Sequence, residues 1–454
     1  MVLYFMIALG LVLLVRTLLG RGYSPGHVWG YTWAFAWGCQ ALLGGGYLLD
    51  SNTVILVSSC NVAFILAAYI ASAPKVNDST KIGAAVQHQP FLDATRLRST
   101  IGLILVAVGI VALDLGLKQL RHPGIVGVFG GSFTDFATSL RDTKSSLNVA
   151  APLEFTVSTA LMNCAAVLAG IQSALPRSRV GIGLIAGTIG LAFMQSAGTG
   201  VRSYLLMAIL ILISSHLATK LYMNGVAFRF RARALMTSGA LVFAFLVWVV
   251  IVQSARRGDF SFAQVAATLD YLRAWFAGYI PALSQWTATF DLYGSPSDNP
   301  LPAENLLRGV LGPLGFVSGE GIDSVTAAVD IGSGAFSNAM TVFRPLLSDF
   351  GFAGSIVACA IAGLLSQTAY RRVSSGSVAL LVPLIACYAA IIYSFNGWFF
   401  AYGSRLVGVA LALVIVVTCH RLRGRAAKLS NASGRAPAHS GDGTDVEIET
   451  GHRL

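Results

Sequence analysis

Ser337-Asn-Ala-Met-Thr-Val-Phe-Arg344-Pro-Leu-Leu-Ser-Asp349-Phe-Gly351 runs directly into Phe352-Ala-Gly-Ser-Ile-Val-Ala-Cys-Ala-Ile-Ala-Gly-Leu-Leu-Ser-Gln-Thr-Ala-Tyr370. The second half is nineteen residues without a charge. As a helix, a stretch of roughly 17 to 25 such residues crosses the hydrocarbon core of a bilayer. The first half gathers an arginine, an aspartate, an asparagine and several hydroxyls at the entrance to that span. Charge is scarce in the chain, so its concentration at a membrane edge needs a reason.

The rest of the chain repeats the apolar half. Of 454 residues, 55% are hydrophobic and 11% charged, where a soluble domain carries about 25% charged residues. The mean hydropathy is +0.70. Further apolar runs lie near 1–20, 28–49, 52–73, 99–119, 154–175, 180–198, 203–219, 235–255, 378–397 and 403–420, making eleven with 352–370. The sequence therefore predicts an all-α polytopic membrane protein of about eleven transmembrane helices. The first run has no cationic segment ahead of it and no small-residue cleavage site, so it reads as a retained span. The six cysteines lie in or at the ends of apolar runs with no Cys-x-x-Cys spacing, and read as small packing residues.

Orientation follows from the Lys/Arg bias, because cationic loops stay in the cytoplasm. Arg421, Arg423, Arg425 and Lys428 follow the last run directly. With that end inside, strict alternation puts 20 of the 31 cationic residues inside and the N-terminus outside. Residues 1–428 form the membrane domain, with outer loops at 121–153 and 256–351. Residues 429–454 read as a disordered cytoplasmic tail. Within the large loop, 262–290 carries Val265, Leu269, Leu272, Phe276 and Tyr279 at helical spacing, which predicts one amphipathic helix at the membrane surface. Gly294–Pro302 is a turn-rich break. Gly312–Gly334 reads as a mobile loop.

Eleven cations fall outside, and nine of them are arginine, the residue whose planar fork suits phosphate. Four outer groups matter most. Arg202 lies in a Gly-flanked turn between two spans; Arg256-Arg257-Gly258-Asp259 opens the large loop; Arg344 precedes Pro345; Arg405 follows an aromatic belt ending at Tyr402. Each alone could snorkel to lipid headgroups or pair with a loop carboxylate. Together, at one membrane depth, they read as a polyanion site. Arg273, Arg308, Tyr271, Tyr279, Trp275, Trp286, Tyr293 and Trp398 supply further cations and rings for sugar contact, although interfacial belts use the same residues. Asp349, Asp259, Glu320 and Asp323 are the carboxylates available as a base, with Asp349 also placed to cap the helix starting at Phe350-Gly351. Asp114 and Lys118, four apart, read as a neutralised pair. No histidine has a partner at metal-ligand spacing, so the sequence predicts neither metal nor other cofactor. The basic loops follow membrane topology and do not imply nucleic acid.

The pattern Asn-x-x-Thr-x-x-Arg-Pro followed by Asp-Phe-Gly-x-x-Gly, at 338–354, resembles a segment of Wzy-type oligosaccharide repeat-unit (O-antigen) polymerases. The Arg202 turn and Arg256-Arg257-Gly258 resemble the family too, as does the layout with its large late outer loop. Met340 departs from it, standing where many relatives have an aromatic. The resemblance implies a GT-C-like glycosyltransferase in the bacterial inner membrane. Such an enzyme moves a growing glycan from undecaprenyl pyrophosphate onto a new lipid-linked repeat unit at the periplasmic face, and works with a chain-length regulator and a flippase. On this reading Arg202, Arg257 and Arg344 clamp the leaving pyrophosphate and Asp349 or Asp259 takes the acceptor proton. Arg256, Tyr271, Arg273, Asn338, Thr341, Tyr402 and Arg405 contact substrate. An O-antigen ligase-like transferase is the nearest alternative, but those proteins resemble one another in a histidine of the large outer loop, and 256–351 has none. A flippase or transporter should show inverted repeats and broken polar spans, which are not evident here.

The orientation is open to direct measurement. A reporter active only in the periplasm should stay silent when fused after Lys428 and report from near Ser297; the reverse pattern overturns every outer-face assignment above.

Overall fold

The computed structural model describes residues 1–20, 22–72, 90–119, 152–176, 178–199, 201, 203–224, 247, 250–251, 261–288, 304–311, 329–332, 334–337 and 340–433. These form α1 (Val2–Leu19), α2 (Pro25–Leu43), α3 (Ser51–Ser72), α4 (Thr95–Gln119), α5 (Leu153–Ser173), α6 (Arg179–Thr199) and α7 (Ser203–Asn224). After these come α8 (Phe262–Ala277), α9 (Tyr279–Ala288), α10 (Glu304–Leu311), a hairpin of β1 (Val329–Gly332) and β2 (Ala335–Ser337), α11 (Phe343–Ser374), α12 (Leu381–Tyr393) and α13 (Gly403–Ser433). The protein is a helical, multi-pass membrane protein. Among the described residues, eight helices are long and apolar enough to cross a membrane. The expected spans at 28–49 and 378–397 are the helices α2 and α12, which fall outside those eight, α12 being a shorter apolar helix of 13 residues. The run at 235–255 lies almost wholly outside the described residues.

The helices close on one another through glycines, as spans must when lipid is as apolar as their side chains. A Cβ on Gly363 of α11 would lie 2.4 Å from the Phe64 carbonyl oxygen of α3, and one on Gly408 of α13 would lie 2.6 Å from the Ala160 oxygen of α5. Several hydroxyl and amide side chains between helices find partners across them. Ser158 Oγ donates to the Gly109 carbonyl at 2.8 Å and accepts from Gln195 Nε2 at 2.8 Å; Trp29 Nε1 donates to Asn61 Oδ1 at 2.7 Å. One apolar core joins α4–α7 with α12 and α13, and a second joins α1–α3 with α9 and the start of α11.

Helix ends meet at two poles. At one, Arg371 of α11 donates to the Ala71 carbonyl of α3 at 2.8 Å. At the other, the amide of Asp50, just ahead of α3, donates to Ser284 Oγ of α9 at 2.6 Å. There, too, Phe155 near the start of α5 meets Tyr204 near the start of α7 at 5.6 Å between rings. The second pole carries the cap described next.

The cap corrects several expectations. The single amphipathic helix at 262–290 is two helices, α8 and α9, separated at Gly278. Its expected apolar face is divided: Leu272 and Tyr279 are buried, whereas Leu269 points outward. Of the expected mobile loop, residues 329–332 are a β-strand, held as Leu48 N–H donates to the Ile331 carbonyl at 2.9 Å. The fold is therefore helical with one small hairpin. Of the expected disordered tail, residues 429–433 belong to α13, which continues to Ser433, and the rest lies outside the described residues. Gly351 interrupts α11 at φ 64, ψ −169. That conformation is all but closed to residues with a Cβ, so the polar entrance and the apolar span are two helices meeting at a glycine.

Close packing at Gly363 can be checked against an open glycine. Gly363→Ala should lower the thermal midpoint in detergent by the equivalent of about 1–3 kcal/mol of overpacking. Gly10→Ala, with nothing within 4 Å of its Cβ, should be neutral or stabilising. Equal midpoints for the two variants would refute the α3–α11 contact.

Candidate functional site

Two arginines are buried in the cap pole. Arg344, the second residue of α11, is 8% exposed. Its guanidinium lies 5.2 Å from the centre of the Trp286 ring, and Nη1 donates to Met340 Sδ at 3.2 Å. The turn before it is tightly made. Thr341 sits at φ 52, in the left-handed region a β-branched residue seldom enters, and its Oγ1 accepts from the Phe343 amide at 3.1 Å. Only 2% exposed, Thr341 forms this turn, and its hydroxyl is engaged within it. The next amide, Val342 N–H, donates to the Ser394 carbonyl at 2.7 Å and ties this entrance to the turn between α12 and α13.

That turn surrounds the second arginine. Arg405, also 8% exposed, has the rings of Tyr402, Tyr393 and Phe399 at 4.3, 5.0 and 5.6 Å, and Nη1 donates to the Phe399 carbonyl at 3.1 Å. A guanidinium has five N–H donors; no other hydrogen bond or ion pair involves it among the described residues. Tyr402 covers the charge with one face and is itself 56% exposed. Tyr204, two residues after Arg202, lies beside Tyr402 and Arg405. Val342, two residues before Arg344, is thus bonded to the residue after Tyr393, whose ring lies 5.0 Å from the Arg405 guanidinium. Ring faces stabilise a guanidinium while leaving its edge for an anion.

Asp349 is placed otherwise than the sequence implied. Its Oδ1 accepts from the amide and Nδ2 of Asn305, at 3.1 and 2.8 Å, and its Oδ2 from the Leu306 amide at 2.8 Å. It caps α10, forty-four residues earlier, and not the helix beginning at Phe350. A carboxylate at a helix N-terminus satisfies orphan amides and meets the positive end of the dipole, so both of its oxygens are engaged. The same helix is held from its other side, where Trp398 Nε1 donates to the Leu306 carbonyl at 2.7 Å.

Arg273 also turns out to close a helix. Nε donates to the Leu43 carbonyl at 2.6 Å and Nη2 to the Gly45 carbonyl, so it satisfies the C-terminal end of α2. It lies over the Tyr47 ring at 5.3 Å. Burial pushes the Tyr47 hydroxyl up, with Arg273 pulling it the other way. Tyr279, fully enclosed near Tyr393 and Tyr271, is pushed well up by burial and stays protonated. Tyr271 remains 39% exposed on the cap surface. Asp114 and Lys118 form their pair at 2.6 Å. Arg202, Arg256, Arg257, Asp259 and Asn338 lie outside the described residues, as do Glu320, Asp323 and Tyr293. Sequence reasoning missed Tyr393, Phe399 and Tyr204 as the walls around Arg405; only the return of three helix ends to one pole brings them together. No family model, curated protein or solved structure matches the chain.

Capping and catalysis by Asp349 make different demands. Asp349→Ala should destabilise the cap by about 1 kcal/mol, read as faster proteolysis between α9 and α11. Asp349→Asn keeps one acceptor oxygen but turns an NH2 donor toward one of these amides, so it should restore part of that protection while leaving any activity measurable. An Asn variant that is as resistant as wild type yet inactive would make the carboxylate the base after all.

Proposed function

We propose that the chain is a bacterial inner-membrane glycan polymerase. It transfers a growing oligosaccharide from undecaprenyl pyrophosphate onto a lipid-linked repeat unit, at the face of the membrane where the cap lies. The observation that carries the reading is Arg405, buried among three rings and a carbonyl with no carboxylate pairing among the described residues, at the same pole as the buried Arg344. Buried positive charge in a low-dielectric pole favours an anion strongly. The sequence resemblance at 338–354 supplies the class of anion, a prenyl pyrophosphate.

In the reaction, an acceptor hydroxyl attacks the anomeric carbon, the bond from that carbon to the pyrophosphate oxygen breaks, and the hydroxyl proton passes to a base. Negative charge grows on the departing pyrophosphate, and preorganised donors aimed at such charge are the largest service a site can give. Arg344 and Arg405 are suited to that task, with Arg202 and Arg257 assigned beside them from the sequence. Because both oxygens of Asp349 are already engaged, Asp259 is the carboxylate this reading gives to the proton. Tyr402 and Tyr271, both exposed, offer ring faces to sugar.

Purified protein given lipid-linked repeat units should form long chains in excess chelator, since guanidinium groups here take the charge that a divalent cation takes elsewhere. Arg344→Ala and Arg405→Ala should each slow chain growth about 10- to 150-fold, the worth of one charge-assisted hydrogen bond of roughly 1.5–3 kcal/mol. Arg405→Lys should recover little, because an ammonium cannot present the fork. Normal chain-length ladders in both alanine variants would overturn the reading, and activity that vanishes in chelator and returns with Mg²⁺ would overturn its metal independence.

A further inference from the structure

At the pole opposite the cap, a third buried arginine stands apart from everything above. Arg98, near the start of α4, is 3% exposed. Its guanidinium lies over the Phe91 ring at 4.0 Å and Nη2 donates to Thr95 Oγ1 at 3.3 Å. Nη1 is buried without a hydrogen-bond partner, and among the described residues no carboxylate pairs with the group. Its neighbours across the interface are Tyr222 of α7 and Cys419 and His420 of α13. His420 has a buried Nδ1 that likewise lacks a partner among the described residues. The same residue lines an open surface pocket of about 450 Å³ formed with Arg421, Gly424 and Arg425 of the same helix. A water molecule occupies about 30 Å³ of liquid, so this space holds a sizeable group.

Apolar packing alone does not account for a buried guanidinium edge with no counter-charge, since such a group is strongly unfavourable until an anion meets it. Arg421 and Arg425 on this pocket at the helix end, with Arg98 next to His420, match an anion with several oxygens spread in space. A phosphoryl group presents three, and guanidinium forks bind it two at a time. We propose that this pocket binds a phosphoryl anion, received by Arg98 and His420 from within the bundle and by Arg421 and Arg425 from the helix end. The orientation read from the charge bias puts it at the cytoplasmic surface, where both lipid headgroups and soluble phosphates are in reach. The inference concerns the opposite pole from the proposed catalytic cap and does not rest on the polymerase reading.

The test uses the full chain in nanodiscs of zwitterionic phosphatidylcholine, followed by thermal unfolding with increasing inorganic pyrophosphate, and separately with part of the lipid replaced by phosphatidylglycerol. One or both should raise the midpoint. Pyrophosphate acting without competition from the anionic lipid identifies a soluble ligand, whereas competition identifies a headgroup; each supports the proposal. Arg98→Gln and Arg425→Ala should weaken the apparent affinity about tenfold or more. Gly424→Leu keeps every charge but fills the open space beside the helix, and should weaken it as well. Stabilisation by neither anion, or stabilisation unchanged in both Arg425→Ala and Gly424→Leu, would overturn the site. So would binding that emerges only after deletion of 434–454, which would give the pocket to the chain's own acidic residues Asp442, Asp445, Glu447 and Glu449.

Discussion

Within hydrocarbon no water is available to a peptide group, so each amide and carbonyl must be satisfied by the chain itself. Among the described residues, the protein obeys by crossing as helices and confining irregular backbone to the two poles. Gly20 and Gly376, with positive φ, turn the chain at one pole; Gly46, Thr341 and Gly351 turn it at the other. Inside the bundle even the hydroxyls fold back on their own helices, as Thr188 does to the Leu184 carbonyl and Ser214 to the Leu210 carbonyl, each at 2.8 Å. What remains unsatisfied by helix geometry is the set of helix ends, and the scarce charges are gathered there.

Those charges divide according to what meets them. Asp349 supplies acceptors to the amides that open α10, Arg273 supplies donors to the carbonyls that close α2, and Arg371 does the same for α3. These are closures of the scaffold, and removing them exposes backbone. Arg344 and Arg405 differ in kind, because aromatic faces hold them: Trp286 for the first, and Tyr393, Phe399 and Tyr402 for the second. A ring face holds a guanidinium in place but does not cancel its charge. On the proposed reading, this leaves Arg405 charged and ready for an anion.

The membrane class was legible because it depends only on composition and run length. The importance of 337–351 was legible as well, since charge at the start of an apolar run stands out in any such chain. Local reading failed where the deciding contact was distant. Asp349 resembles the cap of its own helix because Phe350 and Gly351 follow it, yet Gly351 breaks the helix there and frees the carboxylate to reach Asn305 and Leu306. Periodicity joined α8 to α9 because Tyr279 continues the apolar spacing, while Gly278 and the approach of Ile331 separate them.

By itself the sequence determined that this chain lies in a membrane as helices, which end of each helix carries charge, and which arginines stand at span ends. The physical reason is that transfer into hydrocarbon depends on residue type and run length, quantities that are local. Only the tertiary structure decided which arginines close helices and which are held against ring faces. That choice depends on what the other helix ends bring to the same pole, and Asn305 stands forty-four residues from Asp349 as Ala71 stands three hundred from Arg371.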